Sequence, residues 1–190
     1  MIKKNKPPIL EIIDEIFLVK FLAYFNYNQY INSFKLNGNE KILELGCGSG
    51  NISRFIIKKL SNKGFLTCVD IFEYWISKIK KRLEKYNNIE FKLGDIKKLN
   101  IKDSFYDIVV IHYVLHDITE SERLDLIKII KKKLKKGGKF YIREPIRKSH
   151  GISPGNIKRL MKLSGLKEVY SKNKFSLLLR STFEGIFVNV

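Results

Sequence analysis

A chain of 190 residues with 44% apolar and 29% charged positions has the makings of one folded domain, and its composition excludes a disordered or fibrous chain. Lys and Arg number 37 against 19 Asp and Glu, giving a formal charge of +18, a field that draws phosphate and other anionic groups. Only seven of the basic residues are Arg; AT-rich coding would produce such an abundance of Lys, Ile and Asn, but it would not account for the shortage of acids. Cys47 and Cys68 both sit inside apolar strand patterns and make neither a disulfide framework nor a zinc spacing, so the reading is a reducing, cytoplasmic setting with no metal. The N-terminus starts basic, but the apolar stretch behind it carries Glu11, Asp14, Glu15 and Lys20 and no small-residue cleavage site. No run approaches the roughly 20 apolar residues of a membrane span.

In chain order, residues 9–34 read as one or two helices. Ile9, Ile12, Ile13, Ile16 and Phe17 follow a three-four spacing, and Pro7 and Pro8 suit a helix start, where a missing N–H costs little. The aromatics Phe17, Phe21, Tyr24, Phe25, Tyr27, Tyr30 and Phe34 either pack onto the domain or form a lid that excludes water from a reaction. Short apolar runs then alternate with longer amphipathic stretches. Strands are predicted at 41–46, 65–70, 89–93, 105–111 and 138–144, with helices near 51–61, 73–86 and 120–135 between them. That alternation implies βαβ units, a parallel sheet and right-handed crossovers. Gly137-Gly138 reads as the stop of the third of these helices. Ser153-Pro154 opens a short helix ending near Gly165, and strands at 166–172 and 182–189, with no helix between them, form a hairpin that makes the last strand antiparallel. No repeat or linker interrupts the chain, so the expectation is a single domain: a helical segment over 1–38 and a core over 39–190.

The chemistry concentrates in Glu44-Leu45-Gly46-Cys47-Gly48-Ser49-Gly50-Asn51, where a strand runs into three glycines at alternate positions and a helix follows. Glycine lets the backbone turn tightly and approach a ligand, and helix-start N–H groups face an anionic part of it. Spacing arbitrates among Gly-rich loops. A dinucleotide fingerprint needs its third Gly at 51, which is Asn, and no Gly-Lys-Ser/Thr of a P-loop follows. Asp70 ends the second strand 20 residues past Gly50, where a carboxylate can accept hydrogen bonds from vicinal ribose hydroxyls. Asp95, just after the third strand, can meet an adenine amino group. Each acid taken singly reads equally as a surface acid or a helix cap, but Glu44, Asp70 and Asp95 together mark the carboxyl edge where open α/β sheets bind ligands.

These motifs, with Phe105-Tyr-Asp-Ile-Val-Val-Ile-His112 and Leu134-Lys-Lys-Gly-Gly-Lys-Phe140, resemble in kind and order those of class I S-adenosylmethionine-dependent methyltransferases over residues 38–190. The resemblance implies an α/β, Rossmann-like fold: a seven-stranded, mostly parallel sheet of order 3-2-1-4-5-7-6 with strand 7 antiparallel, here with an N-terminal helical lid. It further implies that Gly46, Cys47, Gly48 and Gly50 wrap the methionine part of S-adenosylmethionine and that Glu44 reaches its amino group. Asp70 would hold the ribose hydroxyls, Ile71 would lie against the adenine, and Asp95 with the Ile96 backbone would read the adenine edge. His112 would offer a backbone carbonyl to the methionine amino group. The product would be S-adenosylhomocysteine.

Methyl transfer from a sulfonium is an in-line displacement, so the protein aligns the acceptor and excludes water, and a hydroxyl acceptor gains from a general base. His112, Tyr113 and His116 cluster after the fourth strand and are the catalytic candidates, each histidine reading equally as a packed or capping residue. Arg143 and Glu144, ending strand five, also border the crevice; Arg143 could clamp an anionic substrate or form a structural ion pair, and His150 is a weaker candidate of the same kind. The strand-four sequence lacks the Asp/Asn-Pro-Pro-aromatic motif of adenine-amino methylation, and no Cys-Pro lies near it for 5-methylcytosine formation. The Lys131–Lys133 run falls on a helix and reads as a solvated face. Tyr113-Val-Leu-His-Asp117 resembles the small-molecule branch that includes quinone-pathway enzymes, so the expected acceptor is a small molecule. RNA methylation and non-catalytic S-adenosylmethionine binding are the alternatives.

Overall fold

The computed structural model describes residues 17–146, 151–175 and 181–190. The helix start at Pro7 and Pro8, the predicted helical residues 9–16 and His150 lie outside them. Helix α1 (Phe17–Asn32) leads to β1 (Lys41–Leu45), α2 (Ser53–Lys59), β2 (Phe65–Asp70), α3 (Glu73–Leu83) and β3 (Ile89–Leu93). Then follow β4 (Tyr106–His112), a 3-10 turn (Leu115–Asp117), α4 (Glu120–Lys133), β5 (Leu134–Pro145), α5 (Pro154–Leu163), β6 (Leu166–Lys174) and β7 (Thr182–Asn189).

The strands form one seven-stranded sheet in the order β3-β2-β1-β4-β5-β7-β6. β1 with β4, β2 with β3 and β4 with β5 pair in parallel, whereas β7 runs antiparallel to both β5 and β6. The order and the reversed strand are those that the resemblance implies. Strands buried on both faces read as unbroken apolar runs, as Ile108–Ile111 do in β4, where all four side chains are buried.

By internal contacts the chain forms two compact units. One holds the described residues up to Glu40 together with Cys47–Leu99; the other holds Lys41–Gly46 and Asn100–Val190. In the first unit, β2 contributes Leu66, Cys68 and Val69, α2 contributes Phe55, Ile56 and Ile57, and α3 contributes Trp75, Ile76 and Ile79 to a buried core. The α1 segment adds Tyr30 and Ile31, with Phe34 just beyond it, and the Tyr30 and Phe34 rings meet edge-on at 5.0 Å. Tyr24 and Phe25 are exposed, so the N-terminal aromatics divide between packing and an outward face. In the second unit, Phe140, Ile142, Phe183 and Phe187 of β5 and β7 are buried, as are Leu126, Ile127 and Ile130 of α4 and Ile157 and Met161 of α5. Ser153 caps α5, its hydroxyl accepting from Asn156 N at 3.2 Å, with Pro154 in the first turn.

One boundary differs from expectation. The helix predicted to 135 ends at Lys133, and β5 begins at Leu134 rather than 138. Leu134 is buried and pairs with Tyr106, while Asn189 Nδ2 donates to the Leu134 and Lys135 carbonyls at 3.1 and 3.2 Å. Tertiary pairing overrides the helical preference of the lysine run. Gly137-Gly138 serves the register shift between Tyr106 and Ile108 on the β4 side, not a helix stop: a Cβ on Gly138 would lie 2.9 Å from the Lys135 carbonyl oxygen.

Candidate active site

In the first unit the turn after β1 is closed by backbone bonds from Cys47 N to Val69 O (3.1 Å) and from Gly50 N to Cys47 O (3.0 Å). Gly48 N then donates to Asp70 Oδ2 at 2.9 Å, and Phe72 N donates to Asp70 Oδ1 at 2.9 Å. Asp70 is only 6% exposed, so its carboxylate is held in one orientation by the main chain on both sides. Burial pushes its pKa up, against the opposing pull of the Phe72, Gly48 and Ile71 N–H groups. A buried carboxylate in that condition is stabilised by additional donors, and a vicinal diol brings two.

The glycines divide the labour. A Cβ on Gly48 (φ +51°) would meet nothing within 4 Å, so open space adjoins the amide that holds Asp70. A Cβ on Gly50 would sit 2.9 Å from Ile79 Cγ1 of α3. Asp95 is half-buried at the end of β3; its Oδ1 accepts from Lys97 N at 2.9 Å and its carbonyl from Lys98 N and Leu99 N, so part of its work is to cap the turn that follows. Ile96 is buried, Ile71 is half-buried, and Gly94 N donates to Asp70 O at 2.9 Å.

In the second unit Glu44 is buried on β1, and Gly46 follows with φ +72°. A Cβ there would approach Val114 Cγ2 to 2.4 Å, a distance no real pair tolerates. The chain leaves β4 through His112, whose ring lies 4.1 Å from that of Tyr113. Tyr113 adopts φ +59°, a left-handed conformation uncommon for a residue with a side chain, and its N–H donates to Arg143 O at 2.9 Å. The pKa of His112 falls well below the usual value through burial, the Arg143 charge and, last, His116, outweighing a bond within its own residue.

Glu144 fastens the next turn. Its Oε1 accepts from Val114 N (2.9 Å) and Leu115 N (2.7 Å), and its Oε2 from His116 N (3.3 Å), with His116 Nδ1 at 2.8 Å. His116 Nε2 lies 3.4 Å from Asp117 Oδ1. Arg143 settles as a structural ion pair: its Nε donates to Glu184 Oε1 at 3.0 Å, its Nη2 makes a second short bond to the same oxygen, and only 2% of the residue is exposed. Burial raises the Glu184 pKa, but Arg143 and Lys172 outweigh it and hold the carboxyl below its usual value. Arg143 is therefore no substrate clamp. Glu144 stands at the end of the fifth strand, as expected, but its grip on the turn and the role of Val114 are not legible in the sequence; the parallel register pairing His112 with Arg143 places Glu144 opposite the loop after β4 and is the signal that could have found the grip. Among the described residues no cluster of His, Cys, Asp or Glu could hold a metal, and no helix is long and apolar enough to cross a membrane.

Residues 36–180 match a family model described as a methyltransferase domain. The chain belongs to the class I S-adenosylmethionine-dependent methyltransferases. This methyltransferase is 29% identical over 118 residues to the ubiquinone/menaquinone biosynthesis C-methyltransferase UbiE of Wigglesworthia glossinidia brevipalpis, covering 60% of the chain and 46% of that protein. The methyltransferase spans about half the length of the curated relatives it matches. Its fold is similar to that of a SAM-dependent methyltransferase from Aquifex aeolicus, with a TM-score of 0.77 at 17% identity over 98% of this chain and 100% of that one. It is also similar to the N-methyltransferase NodS from Bradyrhizobium japonicum WM9 in complex with S-adenosyl-L-homocysteine, with a TM-score of 0.69 at 18% identity over 86% and 85% of the two chains.

Proposed function

We propose that this methyltransferase transfers the methyl group of S-adenosylmethionine to a small-molecule acceptor. Asp70 carries the reading: a buried carboxylate pinned by Gly48 N and Phe72 N, next to open space at Gly48, suits the two hydroxyls of a ribose. Gly46, Cys47, Gly48 and Gly50 then line the methionine part, with Glu44 and the His112 carbonyl toward its amino group. Ile71 lies against the adenine, and Asp95 with the Ile96 backbone reads its edge while Asp95 caps its turn. The bound sulfonium supplies an activated methyl carbon; the protein's part is to hold the acceptor in line and keep water away.

His116, Tyr113 and His112 are the residues proposed on the acceptor side. They differ in capacity. His112 is kept neutral by its burial and by Arg143, which suits packing and a carbonyl contact better than proton transfer. His116 has a carboxylate at each ring nitrogen and is the better proton acceptor.

The small-molecule acceptor is supported by the ion pairs within the basic segment. Lys133 is bonded to Asp103 (2.6 Å) and Ile101 O, and Lys135 to Asp107 (2.5 Å), which breaks the Lys131–Lys136 run as a surface for phosphates. Buried thiols at Cys47 and Cys68 suit a reducing, cytoplasmic setting. The test is calorimetric titration with S-adenosylhomocysteine, followed by methyl-donor turnover against a metabolite panel and, in parallel, total RNA. Binding with turnover of a metabolite is the expected result; turnover of RNA alone overturns the acceptor class, and binding without turnover points to a non-catalytic binder.

A further inference from the structure

Where α5, β6 and β7 meet in the second unit lies a cavity of about 520 Å³, within the size range of small-ligand pockets. Arg159 and Lys162 of α5 and Lys167 of β6 line it, with the buried Leu166 and Phe187 beneath them. Glu168, the carboxylate in the lining, is already engaged. The Ser171 hydroxyl, donating at 2.7 Å, and Lys158 Nζ, at 2.9 Å, hold its carboxyl below the usual value. Lys131 of α4 adds a fourth cation. It is half-buried, and its Nζ lies 2.6 Å from where a Cβ on Gly165, another lining residue, would stand. Among the described residues no carboxylate pairs with Lys131, Arg159, Lys162 or Lys167.

A lysine run on a helix is ordinarily a solvated face. Lys131 alone would need no ligand either, because it sits where α5 ends and the helix dipole favours a cation. Four cations from three elements gathered at one concavity are a different case. They repel one another, and a cleft lined by one sign of charge focuses its potential on an anion. Lys133 and Lys135 are tied to Asp103 and Asp107 at 2.6 and 2.5 Å, so the charge collects in a cup and is not drawn out along a track. The cup is remote from the candidate active site. Lys139, Val188 and Lys167 lie side by side across β5, β7 and β6, and Pro145, Thr182 and Lys174 do so six residues further along β5. That register puts the cavity about 20 Å from the sheet edge at Pro145.

We propose that this cavity is a second binding site, apart from the methyl-transfer site, for a small molecule carrying a short phosphate chain. Each phosphate group sets its charge and three acceptor oxygens in a small volume, and the Arg159 fork and the lysine ammoniums are the donors that match it. Carboxylic acids of the same size bring fewer acceptors. The site does not depend on the methyl donor, so it stands or falls separately from the proposed function.

The experiment titrates the full chain with inorganic triphosphate in low-salt, magnesium-free buffer, followed by calorimetry and by backbone amide shifts in nuclear magnetic resonance. One equivalent should bind saturably, with the largest shifts at Arg159–Lys167 and Lys131, and citrate should bind about tenfold more weakly or worse. Arg159→Glu with Lys162→Glu should weaken triphosphate binding about a hundredfold or more. Lys80→Glu with Lys81→Glu makes the same change in net charge at exposed positions of α3, which packs against β2 and β3 at the opposite edge of the sheet, and should weaken it less than about threefold. Adenosine triphosphate as a further arm shows whether a nucleoside on the chain adds affinity, and either result keeps the phosphate site. Equal losses in the two variants, shifts spread over the surface, or binding without saturation would mean general screening of a chain of charge +18 and overturns the site. Binding of single-stranded RNA with none of triphosphate overturns it as well. The wild-type titration decides without requiring any variant to fold.

Discussion

Gly46→Ala tests how the glycine loop is held. The substitution puts a Cβ 2.4 Å from Val114 Cγ2 and asks an alanine to keep φ at +72°. The left-handed conformation costs about 1–2 kcal/mol, and forcing Val114 aside in a packed contact costs about 1–3 kcal/mol. Together the loss should be about 2–5 kcal/mol. Val114 cannot give way cheaply, because its own N–H is tied to Glu144 at 2.9 Å. Val114→Ala alone should cost about 1 kcal/mol, since the side chain is half-buried. In the double variant the collision disappears while the backbone cost stays, so the two should couple favourably by about 1–3 kcal/mol. Urea unfolding of the four proteins of the cycle measures it. A Gly46→Ala loss below about 1 kcal/mol, or strictly additive effects, would refute the reasoning, since either means that the loop does not rest on Val114.

Asp70→Asn should weaken S-adenosylhomocysteine binding by about 1.5–3 kcal/mol, the worth of a charged hydrogen bond, by calorimetric titration; unchanged affinity removes Asp70 from the site. The same carboxyl sets a pH dependence. Its pKa is raised by burial, so the unliganded fold binds this proton more tightly than the unfolded chain, and the group's contribution to stability falls as pH rises through that window. Hydroxyl donors favour the ionised form, so affinity for S-adenosylhomocysteine should decline as pH falls through the raised pKa, with proton release on binding there; titrations between pH 4 and 7.5 that showed affinity rising on acidification would contradict this. Arg143→Met leaves Glu184 buried with only the more exposed Lys172 and Lys174 near it and should cost about 3–5 kcal/mol, most of it recovered by adding Glu184→Leu. Thermal unfolding decides, and a loss under about 1 kcal/mol would show the pair to be dispensable.

The strand pattern was open to sequence reading because buried parallel strands advertise themselves: 65–70 and 89–93 match β2 and β3, and Ser153-Pro154 marks the start of α5 through a capping hydroxyl that needs no tertiary partner. The start of β5 was hidden, since Lys135 and Lys136 favour a helix by propensity and only Tyr106 and Asn189, distant in sequence, draw the segment into the sheet. Asp70 was identifiable by its spacing from the glycines. The place of Glu144 at the end of strand five was legible, but its hold on the loop was not, because its partners lie 28 to 30 residues earlier and converge on it only through the β4–β5 register. Arg143 is the same case with the opposite outcome: a cation beside a candidate site, claimed by Glu184 from 41 residues away.

Two of the three glycines after β1 are demanded by neighbouring side chains, Val114 and Ile79, and only Gly48 opens onto empty space. A descendant that had abandoned its nucleoside would still be punished for replacing Gly46 or Gly50, and would carry most of the signature long after its chemistry had lapsed. At Gly48 no neighbouring side chain would resist replacement, and only its φ of +51° would still favour glycine. Its loss, rather than the survival of its neighbours, is the mark by which a retired member of this lineage could be told from a working one.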